Sequence, residues 1–228
     1  MKEWGSGSQC WYGRREDRME TVFAKQQIES FVQDLNSAKP MPGGGTAAAV
    51  CGAMAAALAG MSAHMTVGKK KYAAVEDKMQ EIITKAGTLQ EAMLDMAQED
   101  ADMYSLVLQA YKLPGTTAEE SESRKHAIEE ASKTAVAASL KVTGACVRVM
   151  KLAYTTVTEG NRMMITDGSA SALLARACQQ VAAYNVRINL RGVKDKAVVT
   201  EAERLLECHL AEGERMQAVV LKEVDERL

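Results

Sequence analysis

A chain of 228 residues, 47% hydrophobic and 25% charged with a formal net charge of −2, can bury one substantial core. It carries no basic stripe for nucleic acid and no polybasic tail for a membrane surface. Aromatic residues make up only 4%, Met is plentiful at 14, and β-branched runs are few, so the composition predicts an all-α, single-domain helical bundle rather than a sheet. Cys10, Cys51, Cys146, Cys178 and Cys208 form no CxxC pair and read as reduced, mostly core thiols of a cytoplasmic protein. His64, His126 and His209 lie far apart, which supports no metal site.

Taken in chain order, residues 1–18 hold both tryptophans and the cluster Arg14-Arg15-Glu16-Asp17-Arg18 but no helical periodicity. They are expected to be a disordered N-terminal extension or a non-native leader, with Met19 as the natural start and one domain over 19–228. Ile28, Phe31, Val32 and Leu35 form the stripe of a first helix ending near Asn36. Lys39-Pro40-Met41-Pro42-Gly43-Gly44-Gly45-Thr46 cannot continue a helix, so it is a stiff approach to a flexible elbow, with Thr46 as the expected N-cap of a second helix. Unpaired N–H groups and the positive end of the helix dipole make such an elbow a plausible binding loop; equally, the glycines can serve only to turn the chain into a close-packed helix. No nucleotide-binding glycine motif is present.

From Ala47 to Met65 the chain is uncharged and approaches the length of a bilayer span. Its Ala, Gly and Ser content favours a buried helix at the centre of a bundle or a subunit interface instead. Lys69, Lys70, Lys71 and Tyr72 lead into a long third helix with the stripe Ile82, Ala86, Leu89, Met93, Met96, Ala97, Met103 and Val107, stopped by Leu113-Pro114-Gly115. Thr117-x-x-Glu120 is a capping box. The segment to Gly160 has room for two helices, with a break expected near Ser139. Asp167 is the expected cap of the next helix, and Thr200-x-x-Glu203 that of a terminal amphipathic one.

Two polar intrusions interrupt the apolar stripes. Glu99 and Asp102 fall with Asp95 on the polar side of the third helix, but Asp100 lies on the stripe between Met96 and Met103. A carboxylate facing a core must be paired, hydrogen-bonded or protonated. Desolvation would raise its pKa toward the range useful for proton transfer, although a structural Asp tied to a lysine or a backbone amide satisfies the same pattern. Asn185 lies on or beside the stripe of the later helix, with Asn189 one turn further on. Such amides could read the edge of a heterocycle or simply bridge helices.

Pro42-Gly43-Gly44-Gly45-Thr46 before an Ala-rich helix, Gly68-Lys69-Lys70-Lys71-Tyr72, Glu99-Asp100-Ala101, Tyr111-Lys112-Leu113-Pro114, Gly160-Asn161 with Thr166-Asp167, and Asn185-Val186-Arg187-Ile188-Asn189-Leu190 with Lys194-Asp195 together resemble the cyclodeaminase/cyclohydrolase family. The resemblance runs from Thr21 to the C-terminus. It implies an all-helical homodimer of about six to eight helices per chain, a folate substrate held in a cleft, and no metal or redox cofactor. The implied activity is that of formiminotetrahydrofolate cyclodeaminase, with methenyltetrahydrofolate cyclohydrolase as the alternative and a non-catalytic folate-binding helical dimer as a further one. By resemblance Asp100 is the catalytic acid/base; Pro42, Gly43, Gly44, Gly45, Thr46, Asp167, Asn185 and Asn189 position the substrate; and Lys69, Lys70 and Lys71 attract its glutamate tail. Thr46 stands where the family usually has Ser, which keeps the hydroxyl, and Ala138-Ser139 lacks a proline common at the expected break.

Overall fold

The uncharged stretch beyond the glycine elbow forms the centre of a helical bundle. In a computed structural model that describes residues 22–228, the α-helices are α1 (Val22–Lys25), α2 (Ile28–Leu35), α3 (Gly44–His64), α4 (Glu76–Lys112), α5 (Ala118–Glu159), α6 (Ile165–Leu190) and α7 (Lys196–Asp225). Residues 1–18, the expected leader, lie outside the described part. Although α3 is long and apolar enough to span a membrane, 61% of its apolar window is buried within the bundle.

Glycines set the distance between α3 and its antiparallel neighbour α4. A Cβ at Gly60 would lie 3.2 Å from Ala86 Cβ, one at Gly52 2.9 Å from Met93 Sδ, and one at Gly45 2.6 Å from Asp100 Cγ. The same α3 face meets α6, also antiparallel: Ser171 Oγ donates to the Ala55 carbonyl at 2.7 Å, and Gly52 abuts Cys178 Sγ. α5 closes the four-helix arrangement, pinned to α4 by the Lys141–Glu99 ion pair at 2.8 Å. α7 packs outside on α5 and α6, adding Met216 and Val220 to a core that contains Met93, Val149 and Met150. Gln179, fully buried, ties these three helices together. Its amide donates to the carbonyls of Thr143 at 3.2 Å and His209 at 2.8 Å, and its carbonyl oxygen accepts from Arg176 Nη1 at 2.5 Å. Gly213 leaves the space, since a Cβ there would lie 2.7 Å from Gln179 Cδ.

Several local expectations are corrected. α5 runs unbroken through Ser139, whose hydroxyl turns back onto the Ala135 carbonyl at 3.0 Å; without a proline nothing interrupts the ladder. Thr46 is not an N-cap, because α3 begins at Gly44 with Gly43 at the cap and Thr46 sits inside the first turn. Asp167 likewise lies inside the first turn of α6, which Met164 precedes. α7 starts earlier than Thr200, capped by Asp195, whose carboxylate accepts from the backbone N–H groups of Ala197 and Val198. The capping box at Thr117 and Glu120 forms in full. The stripe of α2 is left on the surface, with Ile28 83% and Val32 55% exposed.

Gly213→Ala is expected to lower unfolding stability by about 1–3 kcal/mol through overpacking against Gln179. Gly87→Ala, in mid-α4 where an added Cβ meets nothing within 4 Å, is expected to raise it by about 0.4–1 kcal/mol. Urea titration of both variants checks the pair; equal stabilities would contradict the packing described.

Candidate functional site

At one end of the bundle the N-terminus of α3, the second half of α4, the first half of α5 and the end of α6 diverge around a cleft of about 540 Å³. Asp100 stands on its floor. It occupies the next α4 seam position after Ala86 and Met93, so the helix periodicity that buries those two turns its carboxylate toward α3. The missing side chain at Gly45 makes room, as a Cβ there would overlap Asp100 Oδ1 and Asn185 Nδ2. Thr46, fully buried, donates its hydroxyl to Asp100 Oδ2 at 3.0 Å, and Asn185 Nδ2 donates to Oδ1 at 3.4 Å.

These contacts pull the carboxyl in opposite directions. Burial raises its pKa above the usual aspartate value, and the hydrogen bonds from the Thr46 hydroxyl and backbone N–H partly offset this. A desolvated carboxyl that a cleft reaches from one side is able to exchange protons with a bound molecule.

Gly43, Gly44, Gly45, Asp100, Asn185 and Asn189 all line the cleft. Pro42, buried and joined to Met41 by a cis peptide, is not part of the lining. Lys69, Lys70, Lys71 and Asp167 are not brought to it. The lysines come after the far end of α3, about 28 Å along the axis from Gly45 at 1.5 Å per residue, and Asp167 is about 27 Å along α6 from Asn185. At that distant end Lys71 Nζ lies 5.5 Å from the Tyr72 ring centroid, and the Tyr72 hydroxyl accepts from the Arg162 backbone N–H.

The sequence reading missed the rest of the lining. Met103, Tyr104, Val107 and Tyr111 form an apolar, aromatic wall on α4, Ser132 and Ser139 face it from α5, and Arg191 stands at the rim. The seven-residue spacing of the serines within the apolar face of α5 was a usable signal; Arg191, just beyond the amide pair, carried none without knowing where α6 ends. Among the described residues no group of three or more His, Cys, Asp or Glu side chains converges as a metal-ligand set.

Removing the Thr46 hydroxyl takes away a contact that lowers the Asp100 pKa. Thr46→Val is therefore expected to move the Asp100 titration to still higher pH, as read by carbon-13 NMR of the side-chain carboxyl. A downward shift would contradict the hydrogen bond's assigned role.

Residues 27–207 match the family model described as formiminotransferase-cyclodeaminase. The chain is 39% identical over 188 residues to a methenyltetrahydrofolate cyclohydrolase of Methylorubrum extorquens, covering 82% of this chain and 90% of that protein. It is 29% identical over 204 residues to the formimidoyltransferase-cyclodeaminase of Gallus gallus, spanning 88% of this chain but 37% of that longer protein. Among solved structures, the formiminotetrahydrofolate cyclodeaminase of Thermotoga maritima superposes with a TM-score of 0.82 at 28% identity, covering 90% of this chain and 98% of that one. With a family model matched over residues 27–207 and 39% identity along nearly the whole of a relative, the chain belongs to the formiminotransferase-cyclodeaminase family.

Proposed function

We propose that this chain is a folate one-carbon enzyme that makes or breaks the bond between the one-carbon unit and a nitrogen of tetrahydrofolate, with Asp100 as the proton carrier. The observation that supports it most directly is a single half-buried carboxyl of raised pKa, held by Thr46 and Asn185 on the floor of a cleft with an aromatic wall. As a cyclodeaminase, the enzyme binds 5-formiminotetrahydrofolate. N10 attacks the formimino carbon, Asp100 takes the N10 proton and delivers it to the departing nitrogen, ammonia leaves, and the 5,10-methenyl ring closes. As a cyclohydrolase, it uses the same groups on a different nucleophile. Water attacks the methenyl carbon while Asp100 accepts one of its protons; Asp100 returns that proton to N5 as the carbon–N5 bond breaks, and the remaining hydroxyl proton passes to solvent as the formyl group of 10-formyltetrahydrofolate forms. The second reaction is favoured by a specific observation, the 39% identity to a protein of that name along nearly its whole length. In either reaction Asn185, Asn189 and the Gly43–Gly45 elbow position the pterin and the reacting atoms, Thr46 acts through Asp100, and the α4 wall packs on the aminobenzoyl ring.

We further propose that the chain works as a homodimer, as the family resemblance implies. The surface of α3 bears Met54, Met61 and Met65, and antiparallel beside it α6 bears Leu173, Val181 and Tyr184, all exposed in a single chain. No Asp, Glu, Lys or Arg interrupts the α3 part of this stripe, whose last turn carries His64, and this suits burial against a second copy.

Asp100→Asn is expected to fold, because it removes a desolvated acid, and to lose at least about a hundredfold in kcat with little change in folate affinity. Turnover supplied with 5-formiminotetrahydrofolate, tracking the methenyl chromophore and ammonia, and separately with 5,10-methenyltetrahydrofolate decides between the two reactions. No turnover of either with tight binding would leave only the folate-binding alternative. As the base must be ionised, kcat/KM should rise with pH through a pKa above the ordinary aspartate value; an ascending limb at or below that value would exclude Asp100.

A further inference from the structure

We propose that Arg191 is the anchor for the anionic tail of the substrate, setting the distance between that tail and the reacting carbon. The inference rests on the folate reading above. Among the described residues that line the cleft, Asp100 bears the one formal negative charge and Arg191 the one positive charge, so the cavity is polar and acidic at its floor, apolar along its wall and cationic at its rim. A reduced pterin, an aminobenzoyl ring and a glutamate run in the same order. The axial rise between the two positions on α6 is of matching order. Asn185 touches Asp100, and Arg191 lies six residues further along α6, about 9 Å at 1.5 Å per residue. From N10 across the aminobenzoyl group to the glutamate α-carboxylate is also roughly 9 Å from bond lengths.

Position 191 is held rather than loose. Its backbone keeps helical angles at the end of α6, and Gly192 is packed so closely on α5 that an added Cβ would lie 2.9 Å from Ser132 Cβ. Among the described residues no carboxylate forms an ion pair with the Arg191 guanidinium, whereas Arg204, Arg215 and Arg227 all have such partners. Arg191 borders both this cleft and a second hollow lined by Glu203 and Glu207, neither of which forms an ion pair with it, and a planar fork of donors at that position suits a carboxylate better than a lysine point charge would. A guanidinium at a helix C-terminus also interacts favourably with the helix dipole, a role that lysine can fill and that is indifferent to the ligand.

The test separates these roles. Wild type, Arg191→Gln and Arg191→Lys are assayed with the one-carbon tetrahydrofolate that the enzyme turns over and with the matching tetrahydropteroate, which ends at the aminobenzoate and lacks glutamate. Arg191→Gln is expected to raise KM about ten- to a hundredfold on the intact substrate, in line with loss of a charged hydrogen bond. Arg191→Lys should recover part of that loss. On the tail-less substrate the three proteins should share one raised KM. Equal KM values on the intact substrate, or equal losses on both substrates, would overturn the anchor while leaving the folate enzyme standing. Failure of the wild type to turn over any one-carbon folate would overturn both.

Discussion

The architecture depends on how closely α3 approaches α4 and α6 at Gly45. Three helices converge there on a point without room for a methyl group, since a Cβ would fall on Asp100 and Asn185 at once. Because an added Cβ would also crowd Met93 at Gly52 and Ala86 at Gly60, the close approach extends along the α3–α4 contact. The cleft opens only where the seam ends and the elbow turns away. Asp100 is thus placed in a core position at the edge of the core. It is covered enough to be desolvated, while the cleft still reaches it from one side.

Much of this could be anticipated from periodicity. Ile82, Ala86, Leu89, Met93 and Met96 repeat at helical spacing and are all buried, and against that regularity Asp100 stood out as the wrong residue type on the right face. The same reasoning drew attention to Asn185. The break expected in α5 failed because serine is a weak interrupter; Ser139 satisfies its hydroxyl on the preceding turn and the helix continues. The cap expected at Thr200 failed because Asp195, with a shorter reach to the first N–H groups, precedes it and captures them. Capping patterns recur by chance inside amphipathic helices rich in Thr and Glu, and local sequence cannot rank two candidates five residues apart.

The remainder of the cleft was illegible for a different reason. Tyr104 and Tyr111 have ordinary positions on a half-polar helix, and their meeting with Ser132 and Asn189 across a cavity is a consequence of the up-down order of four helices, which single-helix patterns do not encode. The Lys69–Lys71 run drew notice through its charge density, yet it comes after the distal end of α3 and stands close to the Asn161–Arg162 turn, where Asn161 and Thr66 are hydrogen-bonded through buried groups. Within one chain that end of the molecule serves the connection between helices.

The small-residue composition of α3 bears on how the cleft can respond to an occupant. Ala and Gly side chains have no χ rotamers to rearrange, so the wall contributed by α3, locked between α4 and α6, cannot adjust by side-chain movement. Opposite it, Met96 and Met103 are unbranched thioethers with several torsions each, next to an exposed Tyr104. Shape adaptation therefore falls to the methionines, Met41 beside the elbow among them, and not to α3 itself. The wall that α3 contributes keeps its geometry while the methionines mould to the ligand, so ring substituents of different bulk can be accommodated without displacing the backbone that orients Asp100.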